Sequence, residues 1–162
     1  MLRKRYMEYD MDMVTKLIRQ RDMTLSLAAL SFVIWQGGQL AEDVVAQFGW
    51  GNGEPNLVIV FSVLVGAIGW AGASLMFLIY AGRVSKAKVQ SVIQDELFDQ
   101  HQRIALRIGY LALIAAIAAL LAADMFISFS AEIAIRALLI VGIAVPLGTF
   151  VLLSTGEDGE AG

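Results

Sequence analysis

Uncharged and mostly apolar runs occupy residues 23–41, 55–82, 108–123 and 137–156, and the charged residues crowd between them. A helix needs roughly 20 apolar residues to cross about 30 Å of hydrocarbon. The second and fourth runs exceed that length. The first is strongly apolar only over 25–35, after which Gln36, Gly37, Gly38 and Gln39 precede Glu42 and Asp43. If it crosses, both glutamines lie near the outer interface, bonded to neighbouring helices or reaching headgroups. The third run is short before Asp124, about 24 Å at 1.5 Å per residue. Residues 125–129 continue apolar, so that span is expected to carry Asp124 inside the outer edge of the membrane. The pattern predicts an all-α integral membrane protein, a bundle of four transmembrane helices at about 23–43, 57–82, 105–129 and 131–153.

Two further helices are predicted outside the hydrocarbon. In residues 1–22, Met7, Met11, Val14 and Ile18 recur at helical spacing, with Asp10, Lys16 and Arg19 elsewhere on the wheel. This is an amphipathic helix suited to the membrane surface. Residues 85–104 contain neither Gly nor Pro, and Asp99 precedes Arg103 by four, the favourable order for a helical ion pair. Val89, Ile93 and Leu97 form a stripe along this helix too narrow for a core, which marks them as a contact for a partner. The glycines and proline of 46–56 predict a turn-rich external loop. Ser130 is placed to cap the fourth span with Glu132 in its first turn, and Pro146 is expected to kink that span. Residues 157–162 form an acidic tail.

Within the spans, small residues fall on single faces. Ser62, Gly66, Gly69 and Ala73 repeat at four, three and four in span two. Span three carries Ala105, Gly109, Ala112, Ala116, Ala119 and Ala123, alternating four and three without a large residue. Such seams let another helix approach closely, and the 3.5-residue repeat of the second implies a left-handed crossing.

Composition adds the solvent and charge adds the orientation. Hydrophobic residues are 58% of the chain and mean hydropathy is +0.69. Net charge is −3 and says little. The basic residues, however, are Arg3, Lys4, Arg5, Lys16, Arg19 and Arg21 before span one, then Arg83, Lys86, Lys88, Arg103 and Arg107 between spans two and three. Only Arg136 lies elsewhere. Basic residues stay on the cytoplasmic side of short loops. Both termini and the 83–107 segment are therefore expected inside, and the 42–56 and 124–132 connections outside, in a bacterial inner membrane. The acidic residues ahead of residue 23 and the want of a clean small-residue cleavage site make span one a retained anchor rather than a signal peptide. With no cysteine, disulfides and thiolate metal sites are excluded.

No phosphate loop, dinucleotide glycine pattern, metalloprotease motif or nucleophile elbow occurs. The Gly66, Gly69, Gly72 series lies mid-span and serves packing. His101 is the single histidine, and it is off the line that joins Asp95 and Asp99, so the sequence calls for no metal or cofactor. Charges within a membrane are costly and are usually paired. Asp124 and Arg136 stand equally far from Ser130, so a hairpin centred there brings them together as a structural pair. The expected function is that of a non-enzymatic accessory or scaffold subunit. It would sit among membrane lipids and bind a larger membrane complex or a cytoplasmic protein, with no direct contact to nucleic acid. The alternative is a small channel or transporter component using Asp124, Arg136, Gln36 and Gln39.

Overall fold

The computed structural model describes the backbone of residues 2–50, 56–87 and 96–156, and the side chains of 15–50, 56–85 and 98–155. It is all-helical over these residues. The helices are α1 (Leu2–Phe48), α2 (Leu57–Ala87), α3 (Glu96–Asp124) and α4 (Ala131–Gly156). Three of them contain stretches long and apolar enough to cross a membrane: Leu57–Ser85, Phe98–Asp124 and Ala131–Thr155.

α1 differs most from expectation. The surface helix at 1–22 and the span at 23–43 are one uninterrupted helix of 47 residues, about 70 Å long at 1.5 Å per residue. Thr24 Oγ1 donates to the Gln20 carbonyl at 2.7 Å and Ser26 Oγ to the Asp22 carbonyl at 2.8 Å. Both hydroxyls are thus satisfied on the preceding turn, without leaving the helix. Gly37 and Gly38 do not end it either. Termination comes at Gly49, in the left-handed region at φ +64, where Trp50 N donates to the Val45 carbonyl at 3.2 Å. That is a Schellman-type stop, which favours glycine because no Cβ opposes the positive φ.

The other boundaries are set by caps. Asn56 Oδ1 accepts from Val58 N at 3.0 Å and opens α2. Ser130 Oγ accepts from Ile133 N at 3.4 Å and opens α4, with Glu132 in the first turn. α4 runs through Pro146 to Gly156. α3 stops earlier than expected, at Asp124 rather than 129, in a tightened last turn where Phe126 N shares the Ala123 carbonyl with Ile127 N, each at 2.9 Å. Of the expected 85–104 helix, the described residues show its two ends in helical form: α2 reaches Ala87 and α3 begins at Glu96. Residues 88–95 lie outside the described residues.

The helices alternate in direction. α1 packs on both α2 and α4, and α3 packs on α4. The order across the molecule is therefore α2, α1, α4, α3, with α1 and α4 in the middle. Small residues bring α1 and α2 into near-backbone contact. A Cβ on Gly66 would collide with the backbone of Trp35, and one on Gly69 with Ser31 Oγ. A Cβ on Gly38 would lie 2.8 Å from Val63 Cγ2, and Ala73 is wholly buried. Between α3 and α4, a Cβ on Gly109 would lie 2.9 Å from the ring of Pro146. The glycine makes the hollow that receives the proline. Ala105 is buried beside it, Ala112, Ala116 and Ala123 are half-buried, and Ala119 is exposed.

Burial is inverted relative to a water-soluble protein. Arg21, Asp22, Thr24, Ser31, Gln36 and His101 are buried, while Leu57, Phe61, Leu121 and Leu152 are 67–79% exposed. Leaving a Leu or Phe in water forfeits about 1.5–3 kcal/mol each. A lipid solvent removes that cost, and it favours turning polar groups inward.

Candidate functional site

The polar residues form two clusters, one at each end of the region where α1 runs beside its neighbours. Both are organised by α1. Gln36, Gln39, Asp43 and Gln47 follow one another at three, four and four, so they share one face of the helix.

At the Asp43 end of α1 that face meets α4. Arg136 Nε stands 2.6 Å from Asp43 Oδ2, a charge contact rather than an aligned hydrogen bond. The Arg136 Nη1 group donates to Gln39 Oε1. Both charged side chains are largely buried, at 30% and 22% exposure. One turn further along α1, the Gln47 amide clamps the α3–α4 connection. Its Nε2 donates to the Ser128 carbonyl at 2.6 Å, and its Oε1 accepts from Ser130 N at 2.8 Å. Two backbone groups of the turn are thereby satisfied by one side chain.

The expected Asp124–Arg136 pair is not what the structure forms. Gly109 lies against Pro146, and Gly142 against Leu113, whose Cδ1 would be 3.7 Å from an added Cβ. Each pair sums to the same register, which places Ala119 opposite Arg136. The hairpin therefore centres between Ile127 and Ser128, not at Ser130, and Asp124 sits about 7.5 Å nearer the turn than the residue opposite Arg136. Asp124 is exposed at the end of α3. Asp43 and Gln39, from the helix that sequence reasoning had stopped at 43, take its place.

At the opposite end, α1, α3 and α4 converge on Arg21. Its Nε donates to Asp22 Oδ1 at 2.8 Å, and both side chains are about 10% exposed. The guanidinium carbon lies 5.1 Å from the ring centre of Phe98 and 5.3 Å from that of Phe150. The two rings meet edge to face, 5.4 Å apart. Cation–π attraction strengthens as such a site is desolvated. Gln20, one residue earlier, accepts from Arg83 Nη1 of α2 at 3.1 Å. Beside Arg21, a cavity of about 690 Å³ lies between the C-terminal end of α2 and the N-terminal end of α3, with α1 and α4 behind it.

His101 is buried on α3 and Asp99 is exposed. Among the described residues, no three His, Cys, Asp or Glu side chains come together in an arrangement that would hold a metal ion. Of the expected partner contact, Val89 and Ile93 lie outside the described residues, as does the side chain of Leu97. The same holds for Met7, Met11 and Val14 and for the tail at 157–162. The clamp residues Asp43 and Gln47 escaped the sequence reading because span one was ended at the first charged pair. Continuing the stripe of Gln36 and Gln39 at helical spacing reaches both.

No protein-family model, no curated protein and no solved structure matches this chain.

Proposed function

We propose that this is a non-enzymatic four-span protein of the bacterial inner membrane, with both termini cytoplasmic, that serves as an accessory or scaffold subunit of a larger membrane assembly. The fourth crossing is the middle of α1. Its charged residues Arg21 and Asp22 are separated from Glu42 and Asp43 by about 30 Å along the helix, one hydrocarbon thickness. Gln20, Ser31, Trp35 and Gly38 lie in order against Arg83, Gly69, Gly66 and Ser62 of α2. A helix in that register shares the depth of the span it packs on. The basic residues flanking the Arg21 end support its placement in the cytoplasm.

The observation that carries the scaffold reading is where the intramembrane polarity goes. Arg136 is held by Asp43 and Gln39 within the α1–α4 interface, while the flanks of α2 and α3 offer exposed Leu, Ile and Phe side chains. The polar groups join helices of one chain, and the apolar flanks are free for lipid or other subunits. The cytoplasmic partner surface is assigned to the stripe of Val89, Ile93 and Leu97.

Native mass spectrometry of the gently solubilised chain tests the reading, which expects other polypeptides to leave the membrane with it. A photo-crosslinker at position 93 should capture protein. A symmetric homo-oligomer that conducts ions in liposomes, and loses conduction on Gln36→Leu, would replace the scaffold reading with the channel alternative.

A further inference from the structure

We infer that the cavity between α2 and α3 takes one anionic phospholipid from the cytoplasmic leaflet, with its headgroup at Arg21 and an acyl chain running inward along Phe77, Leu106 and Ile143. The assignment rests on the orientation proposed above. Three observations carry it. The first is size and chemistry: about 690 Å³ bounded mostly by aliphatic and aromatic side chains with few polar ones. Amphipathic ligands are held in cavities of this kind.

The second is the direction of the polarity. Arg21, Ser85 and Gln102 line the end nearest the cytoplasm, whereas Phe77, Leu106 and Ile143 line the deeper end. That gradient parallels a phospholipid standing in the inner leaflet. The third is charge. Arg21 lines the cavity with only its Nε hydrogen-bonded among the described residues. Asp22 offsets its formal charge but faces a different hollow, so among the described residues Arg21 is the one charged side chain that lines this cavity. Basic pockets between helices on the cytoplasmic side select anionic headgroups. The rings of Phe98 and Phe150 beside Arg21 tie the guanidinium to α3 and α4 at the cavity wall.

The full-length chain in detergent is titrated with phosphatidylglycerol or phosphatidylcholine of identical chains, and bound lipid is counted by native mass spectrometry. One phosphatidylglycerol should be retained in preference by about fivefold, the factor one basic residue near a membrane surface supplies. Arg21→Gln should abolish the preference and Arg21→Lys should keep it. Ala81→Trp, which fills the cavity from an exposed position on α2, should reduce retention of both lipids. Equal retention of the two lipids by the natural chain overturns the proposal. So does displacement by soluble glycerol phosphate, which would make the site one for free phosphate. If Arg21→Gln does not fold, undiminished retention in Ala81→Trp is decisive against it. A crosslinker at position 106 that captures a polypeptide would assign the cavity to a partner helix instead. Since the chain has no native cysteine, Ser85→Cys tests orientation separately. Labelling of intact cells by an impermeant thiol reagent would remove the topology while leaving the lipid measurement to stand or fall alone.

Discussion

α1 has two partners and holds them by different physics. Against α2 the contact is one of shape: Gly66 and Gly69 let the Trp35 backbone and Ser31 approach to where no side chain fits. Against α4 the contact is one of polarity: Arg136 reaches Asp43 and Gln39, and Gln47 reaches the turn that precedes α4. In lipid, apolar faces gain little from meeting each other, because acyl chains solvate them equally well. Close packing of small residues and interhelical polar bonds are the two remaining sources of association, and this chain uses one on each side of the same helix.

The largest effect should come from breaking the shape contact. Gly66→Leu puts a side chain into the Trp35 backbone, which cannot rotate away. Overpacking of this kind costs about 3 kcal/mol or more, and we expect loss of the folded protein by gel filtration in detergent. A well-folded Gly66→Leu protein would show that α1 and α2 can separate without consequence.

Next is the charge contact. Asp43→Ala leaves Arg136 without its counter-ion in a largely buried position. Fully buried pairs cost about 3–5 kcal/mol when one partner is removed, and the partial exposure here reduces that to roughly 1–3 kcal/mol. Asp43→Ala with Arg136→Leu should cost less than the sum of the single changes, as read from thermal melts. Asp124→Ala should lie near zero in the same assay. Coupling between Asp124 and Arg136 instead would place the hairpin in the register first expected.

Gln47→Ala should cost about 1 kcal/mol for the two turn hydrogen bonds it removes, and hydrogen exchange should quicken at Ser130 while the α1–α2 interface stays protected. The smallest effects serve as a control on α3. Ala116→Leu, at a half-buried position facing α4, should lower the melting temperature, whereas Ile117→Leu, exposed toward lipid, should change stability by less than about 0.5 kcal/mol. Equal effects would move the seam to another face.

Three apolar helices and the small-residue faces were legible in the chain, because lipid imposes a length and a polarity that each segment satisfies locally. Boundaries that depend on a side chain two to four residues away were also partly legible, as with Ser130 and its cap on α4. Span one was less so. Its glutamines, glycines and charged ends suggest a short and interrupted helix, whereas packing against α2 and α4 accompanies one helix that runs to the stop at Gly49.

By itself the sequence determined a helical membrane protein with at least three segments able to cross, since hydropathy and helix period are properties of neighbouring residues. Only the tertiary structure decided that Arg136 pairs with Asp43 rather than Asp124, that the helices lie in the order α2, α1, α4, α3, and that a cavity opens beside Arg21. Each of these depends on register between helices distant in the chain. A shift of two or three residues in the α3–α4 hairpin changes the partner of every charge it carries, and that register was set by Pro146 seating on Gly109.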